Sequence, residues 1–185
     1  MNGHFVKRRC TAAIGLLLVG LLAVAPSSHG APPTEYQVKA LFLFNFAQFV
    51  EWPASVFPDA NTPVTIGVLG DDPFGPALES VLQGETVKSR PLVVKRSRKL
   101  EELQDCHVLF ICKSENDRLD KILSALDRSS VLTVSEVDGF AKRGGVINFV
   151  LQGGKVRFEI NAQAAKRKEL KLGAKLLQLG LPVGS

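Results

Sequence analysis

Few side chains in this sequence could do chemistry, and they cluster in two places. Asp71 and Asp72 form a carboxylate pair in the turn Gly70-Asp71-Asp72-Pro73-Phe74-Gly75, directly after a short apolar run. Cys106, His107 and Cys112 bracket a second run, Val108-Leu109-Phe110-Ile111. His107 is the only histidine beyond the first thirty residues, so no second imidazole completes a metal site. There is no G-x-S-x-G, so a nucleophile elbow is missing. There is no G-x-G-x-x-G and no Walker lysine-hydroxyl pair, so nucleotide cradling is not supported. If residues 106–112 are extended, six steps of about 3.3 Å set the two cysteines roughly 20 Å apart. A disulfide needs Cα atoms within about 7 Å, so the two should not bridge each other. No catalytic constellation, cofactor or metal is expected.

The chain opens with Lys7, Arg8 and Arg9, then an apolar run from Ala12 to Ala25, then small residues through Ser27, Ser28 and Gly30. That order is the pattern of an export signal, and the run is short of the roughly twenty residues of a membrane span. Cleavage is expected near Gly30/Ala31, which leaves residues 31–185 as a single exported domain; an uncleaved anchor is the alternative. The signal holds three cations and no acids, so its loss lowers the formal charge from +5 to +2. Residues 155–175 still carry seven Lys/Arg against Glu159 and Glu169. A solvated helix face is the plainer reading of that segment, an anionic partner the sharper one. Nucleic acid is not an expected partner of an exported protein with this charge. Export also bears on the carboxylate pair. Its place after a first strand is that of the acidic pocket of a phosphorylation receiver, but Cys112-Lys113-Ser114 stands where the acceptor aspartate belongs, and no ATP-fed kinase acts outside the cytoplasm. Asp72 is therefore expected to cap the next helix.

The elements follow from periodicity. Thr34 is the expected N-cap of a helix over 35–50 that is closed by Trp52-Pro53. That helix is apolar almost all round, so it is either buried on most sides or uses its second face for a partner. Phe42, Phe44, Phe46, Phe49 and Trp52 are the candidate partner or dimer surface. Strands are expected at 64–69, 91–95, 106–111 and 130–134, and helices at 75–82 and after Ser114, where Leu119, Ile122, Leu123 and Leu126 recur at helical spacing. Gly153-Gly154 is a two-residue hairpin link. It pairs Leu151 with Val156, Phe149 with Phe158 and Ile147 with Ile160, their side chains on one face. Asn161 caps a helix over 162–168, and another spans 174–179. Strands alternating with helices predict a single α/β domain: a mainly parallel, Rossmann-like sheet, helices on both faces, and a C-terminal antiparallel hairpin.

The ordered set of short stretches resembles the YfiR (HmsC-like) family over residues 34–180. The matching stretches are Tyr36-Gln37-Val38-Lys39-Ala40 with Glu51-Trp52-Pro53, Ile66 to Gly70 with Asp72-Pro73-Phe74-Gly75, and Cys106 to Phe110. They continue through Val131 to Ser135, Gly139-Phe140, Gly144 to Phe149, Arg157 to Asn161, Ala164-Ala165 and Leu176-Leu177. The resemblance implies a non-enzymatic periplasmic repressor. It would bind the sensory portion of an inner-membrane diguanylate cyclase and keep cyclic-di-GMP and biofilm formation low. It also implies a homodimer and an outer-membrane lipoprotein that draws the regulator away. Members can carry structural disulfides; here Gly67 holds the first-strand position where a partner for Cys106 would sit. A periplasmic sensor of a small ligand that acts on a membrane partner is the alternative, and an exported hydrolase the third reading.

Overall fold

A computed structural model of the protein describes residues 32–183. The expected export signal and its cut at Gly30/Ala31 lie outside those residues. Contacts divide the chain at Pro32/Pro33, and the description below is of the unit that begins at Pro33.

Helix α1 (Glu35–Phe49) starts at a capping box: the Thr34 hydroxyl accepts from the Gln37 N–H, and the Gln37 side chain accepts from the Thr34 N–H at 2.7 Å. The chain then passes through β1 (Val50–Glu51), a 3₁₀ turn at Ala54–Val56, β2 (Val64–Leu69), α2 (Ala77–Leu82), β3 (Thr86–Val87), β4 (Arg90–Ser97) and β5 (Val108–Ile111). Helix α3 (Leu119–Ala125), β6 (Leu132–Ser135), the hairpin β7 (Ile147–Gln152) and β8 (Lys155–Ile160), α4 (Ala162–Arg167), β9 (Lys171–Leu172), α5 (Ala174–Leu179) and β10 (Leu181–Pro182) complete it.

The main sheet has eight strands in the order β10-β8-β7-β6-β5-β2-β4-β3. Strands β4, β2, β5, β6 and β7 are parallel, β8 joins antiparallel to β7, and β3 antiparallel to β4. Taken in chain order the parallel five read 2-1-3-4-5, a common doubly wound order in which the winding reverses between β2 and β5. Side chains alternate through β5: Val108 and Phe110 face the cluster under α1 and α2, Leu109 and Ile111 the cluster under α3. Helices thus cover both faces. A separate two-stranded ladder, β1 with β9, ties the end of α1 to the segment before α5.

The hairpin has the register read from Gly153-Gly154, Phe149 opposite Phe158 and Ile147 opposite Ile160. Both phenylalanines are buried. Its far end runs past the core, so Leu151 is 61 % exposed although it lies on the apolar face. Asn148, on the expected polar face, is nevertheless buried; its amide nitrogen, oriented to meet acceptors, donates to the carbonyls of Val137 (3.0 Å) and Ser135 (3.3 Å), at and just past the end of β6.

Two expected caps are replaced. Residues Lys113–Arg118 form a 3₁₀ segment and α3 begins only at Leu119, so Ser114 caps no α-helix. Its hydroxyl accepts instead from the Asp71 N–H (2.9 Å). Asp72 does not cap α2, because Pro73 and Pro76 delay that helix to Ala77. Its carboxylate accepts from the Phe74 N–H (2.7 Å) and the Arg96 Nε (2.7 Å).

Candidate functional sites at the two edges of the sheet

In doubly wound sheets ligands bind outside the carboxyl ends of the strands, where the winding reverses. Here that edge is made by Gly70–Asp72 after β2, Cys112–Glu115 after β5, and Glu136 after β6. The first turns of α1 fill it. The Lys39 ammonium, buried, pairs with Glu136 and with Glu35, and the Tyr36 hydroxyl donates to Glu136 at 3.0 Å. Burial, then the Glu136 charge, pushes the Tyr36 phenol up to about 12. The Tyr36 ring packs edge-on against Phe74 (5.6 Å), which packs edge-on against Phe110 (4.8 Å). Asp71 pairs with Arg98 at 2.6 Å, while Arg96 holds both Asp72 and Glu79. The Arg96 guanidinium keeps the Glu79 carboxyl below its usual range. A Cβ at Gly70, φ +102°, would stand 2.4 Å from the Ser114 Oγ, so the loop closes here only on glycine. At the place of an acceptor aspartate sits the Cys112 thiol, pushed up to about 12 by burial and then by the nearby Asp72. Each carboxylate of the pair has an arginine partner, and the receiver-like reading has no acceptor.

The amino edge is built differently. His107 precedes β5, and its ring turns under the start of β2: Nδ1 accepts from the Thr65 N–H (3.1 Å), while the His107 N–H donates to the Thr65 carbonyl (2.9 Å). Its own carbonyl accepts from the Trp52 Nε1 (3.2 Å). Phe57 stacks on the imidazole at 4.6 Å, Trp52 meets it edge-on at 5.7 Å, and the Arg90 guanidinium lies 4.2 Å from the Phe57 ring centroid. Arg90 also donates to the carbonyls of Asp59, Ala60 and Thr62, which pins the 54–62 loop. Burial first, then the Arg90 charge, lowers the His107 pKa below its ordinary 6.5, so the ring is neutral. With Nδ1 accepting, the proton is on Nε2. Among the described residues that Nε2 is the one fully buried side-chain polar atom without a partner. His107 also lines a cavity of about 460 Å³, together with Thr65, Lys95, Asp105, Ser129 and Ser130. No group of three metal-ligating side chains gathers here or elsewhere among the described residues.

Cys106 also lines this cavity. Burial pushes its thiol up to about 11; both it and Cys112 are free, and they do not bridge each other, as expected from their extended spacing. A Cβ on Gly67 would stand 2.7 Å from the Cys106 Sγ, so the glycine makes room for the thiol.

The candidate surface on α1 separates into parts. Phe46 is fully buried, its ring 5.0 Å from Phe158 and 5.7 Å from Phe149, so it belongs to the core and not to a surface. Phe42, Phe44 and Phe49 are half-buried, Phe42 against Phe158 (5.4 Å) and Phe49 beneath the Lys175 ammonium (5.2 Å). Trp52 is half-buried and turned to His107. The large exposed apolar side chains nearby are Leu41 on α1, half exposed, and Leu177 and Leu179 on α5. A groove of about 250 Å³ runs between Phe42, Phe49 and Leu179. Sequence reasoning passed over Leu41, although a signal was present. Asn45 and Gln48 mark the outer side of an otherwise apolar helix, and Leu41 precedes them by four and seven residues, on the same side.

A family model described as YfiR/HmsC-like matches residues 36–180. No curated protein matches the chain. Among solved structures, a conserved domain protein from Vibrio cholerae O1 biovar El Tor superposes with a TM-score of 0.51 at 11% identity. The alignment covers 80% of this chain and 60% of that one, so the chain spans less than two thirds of the solved protein. At that identity the likeness is one of fold. Among the described residues no helix is long and apolar enough to cross a membrane.

Proposed function

The chain belongs to the YfiR/HmsC-like family, and from that premise we propose that it is a non-enzymatic regulator of cyclic-di-GMP signalling. It is exported to the periplasm, binds the sensory portion of an inner-membrane diguanylate cyclase and holds that enzyme inactive. Cyclic-di-GMP then stays low and biofilm formation is restrained. An outer-membrane lipoprotein relieves the repression by drawing the regulator away, and the regulator works as a homodimer.

The observation that carries this reading is the family match, which spans nearly all the described residues. The geometry supports it in two ways. At the carboxyl edge, where a doubly wound enzyme would hold its substrate, protein side chains fill the crevice and satisfy one another. Leu41 stands exposed on the outer side of α1, and Leu177 and Leu179 stand exposed on α5, Leu179 lining a groove with the half-buried rings of Phe42 and Phe49. Exposed apolar side chains and a groove of that kind suit a protein–protein contact, in which a few buried apolar anchors carry most of the binding energy.

The test is co-purification of the full chain with the periplasmic segment of a membrane-anchored diguanylate cyclase from the same cell, with cellular cyclic-di-GMP measured in parallel. Capture of the segment, and a rise in cyclic-di-GMP when the gene is deleted, are the expected results. Absence of capture together with unchanged cyclic-di-GMP sinks the proposal.

A further inference from the structure

Strand β4 is the longest in the sheet, eight residues from Arg90 to Ser97, yet most of it is paired on one side only. Strand β2 pairs with it from Leu92 to Ser97, while β3 meets no more than Arg90 and Pro91. Among the described residues no strand lies on the outer side of Leu92–Ser97. One contact sets the direction of the backbone there. The Ser97 carbonyl accepts from the Gly70 N–H, on the β2 side, at 3.0 Å. Backbone groups alternate along a strand, so Val93, Lys95 and Ser97 serve β2, while Val94 and Arg96 turn theirs outward. Among the described residues no turn or loop backbone meets those of Val94 or Arg96. A row of N–H and C=O groups left in this way is a template for one more strand.

The flanks of β4 narrow what that strand carries. On the face toward α2 a groove of about 630 Å³ runs beside it, lined by Leu82, Leu92 and Val94 with Glu79 and Glu85. Leu92 and Val94 are half-buried against the core and show their remaining surface in this groove. Side chains entering it are therefore apolar, and the two carboxylates exclude acids. On the opposite face Val93 and Lys95 stand exposed. There the Lys95 ammonium favours a carboxylate directly across from it on the incoming strand. We propose that the outer side of β4 takes up an extended segment of a partner protein, added antiparallel as β3 is. Its alternate residues toward α2 are apolar, and the residue across from Lys95 is acidic. A second copy of β4 fits less well, because antiparallel pairing sets the two Lys95 cations on one face. In the sheet order β4 lies at the far end from β8, which lines the groove under α5. The inference is thus argued apart from the regulatory reading and does not rest on it.

The experiment uses the full chain and a fluorescein-labelled peptide with the core Val-Glu-Val-Thr-Val, read by fluorescence anisotropy. In the antiparallel register its central valine lies across from Val94 and its glutamate across from Lys95. The controls are Val-Lys-Val-Thr-Val, with the charge reversed, and Val-Glu-Pro-Thr-Val, which lacks the central N–H. The acidic peptide is expected to bind saturably with a Kd on the order of 100 μM, and each control at least about tenfold more weakly. Hydrogen exchange over residues 90–97 is expected to slow in the complex, with residues 64–69 unchanged. Lys95→Glu, a change at an exposed position, is expected to invert the preference between the acidic and the basic peptide. No saturable binding of the acidic peptide overturns the proposal, as does equal binding of the proline control or an unchanged preference in Lys95→Glu. Exchange over 90–97 that slows with the concentration of the chain itself, without peptide, overturns it too and assigns this side of β4 to a second copy.

Discussion

Strand β5 runs between two edges that treat their polar groups in opposite ways. At its carboxyl end Glu136 is met by Lys39 and Tyr36, Asp71 by Arg98, and Asp72 by Arg96 and the Phe74 N–H. At its amino end the imidazole of His107 has one nitrogen bonded and the other not, and His107 lines a cavity. The topology alone would put a ligand at the carboxyl edge, since that is where the winding reverses. The occupant of that crevice is the start of α1, which brings a cation, a phenol and, through Phe74, an aromatic contact. A fold therefore marks where a site can be built, while the pairing of polar groups shows how far each edge satisfies its own.

The largest expected effect lies at the closed edge. Lys39→Met leaves the Glu136 carboxylate buried without its cation, and breaking a buried pair from one side costs about 3–5 kcal/mol. The double change Lys39→Met with Glu136→Met removes both charges and is expected to recover most of that loss. Urea melts of the three proteins check it. A loss under about 1 kcal/mol in the single variant would mean that water reaches Glu136, and the contrast between the edges would fail.

The amino edge is expected to show itself in the pH dependence. The folded-state pKa of His107 lies below 6.5, through burial and the Arg90 charge. Its neutral form is thus the one that folding favours. The unfolded chain takes up the proton first as pH falls below 6.5, so His107 contributes stability that is fully present above 6.5 and is lost on acidification down to its folded pKa. The slope reaches at most about 1.4 kcal/mol per pH unit. Urea midpoints between pH 7 and 5 measure it, with His107→Gln as the comparison. If the variant keeps the same slope, the neutral imidazole is not what makes this edge acid-sensitive.

The sequence was legible where a local rule and the fold agree. Gly153-Gly154 fixed the hairpin register because a two-residue turn leaves no freedom once the apolar residues must share a face. The Thr34 and Asn161 caps hold for the same reason, each side chain meeting a backbone N–H three residues on. It was illegible where a short polar residue had a choice of partners. Ser114 and Asp72 both satisfy the rules for helix capping, yet one is taken by the Asp71 N–H and the other by Arg96, from a strand over twenty residues away. The candidate site failed in part on similar ground. Counting apolar residues cannot separate Phe46, wholly buried, from Leu41, half exposed, when the helix has apolar residues on every side. Nor could the sequence pair Lys39 with Glu136, since nothing local joins positions 97 residues apart.

Helix α1 spans both edges, with Tyr36 and Lys39 at one and, just past its end, Trp52 at the other. Leu41 lies between them on the outer side. Its substitution should therefore disturb neither edge, and this is the smallest expected effect on stability. Half exposed, Leu41 gains little from folding, so Leu41→Ser is expected to change stability by no more than about 0.5 kcal/mol. Its effect on association is a different matter. If the outer face of α1 and α5 is where a second copy or the cyclase segment docks, Leu41 becomes fully buried there, and an anchor of this kind is commonly worth about 2 kcal/mol or more. Leu41→Ser and, on α5, Leu179→Ser are expected to weaken that association by roughly thirtyfold, as read by sedimentation equilibrium or by titration with the segment. The melting temperature and the pH dependence of stability should stay where they are. Unchanged association in both variants would move the docking surface off this face. A melting temperature lowered by several degrees would instead return Leu41 to the core, and the face between the two edges would then be structural.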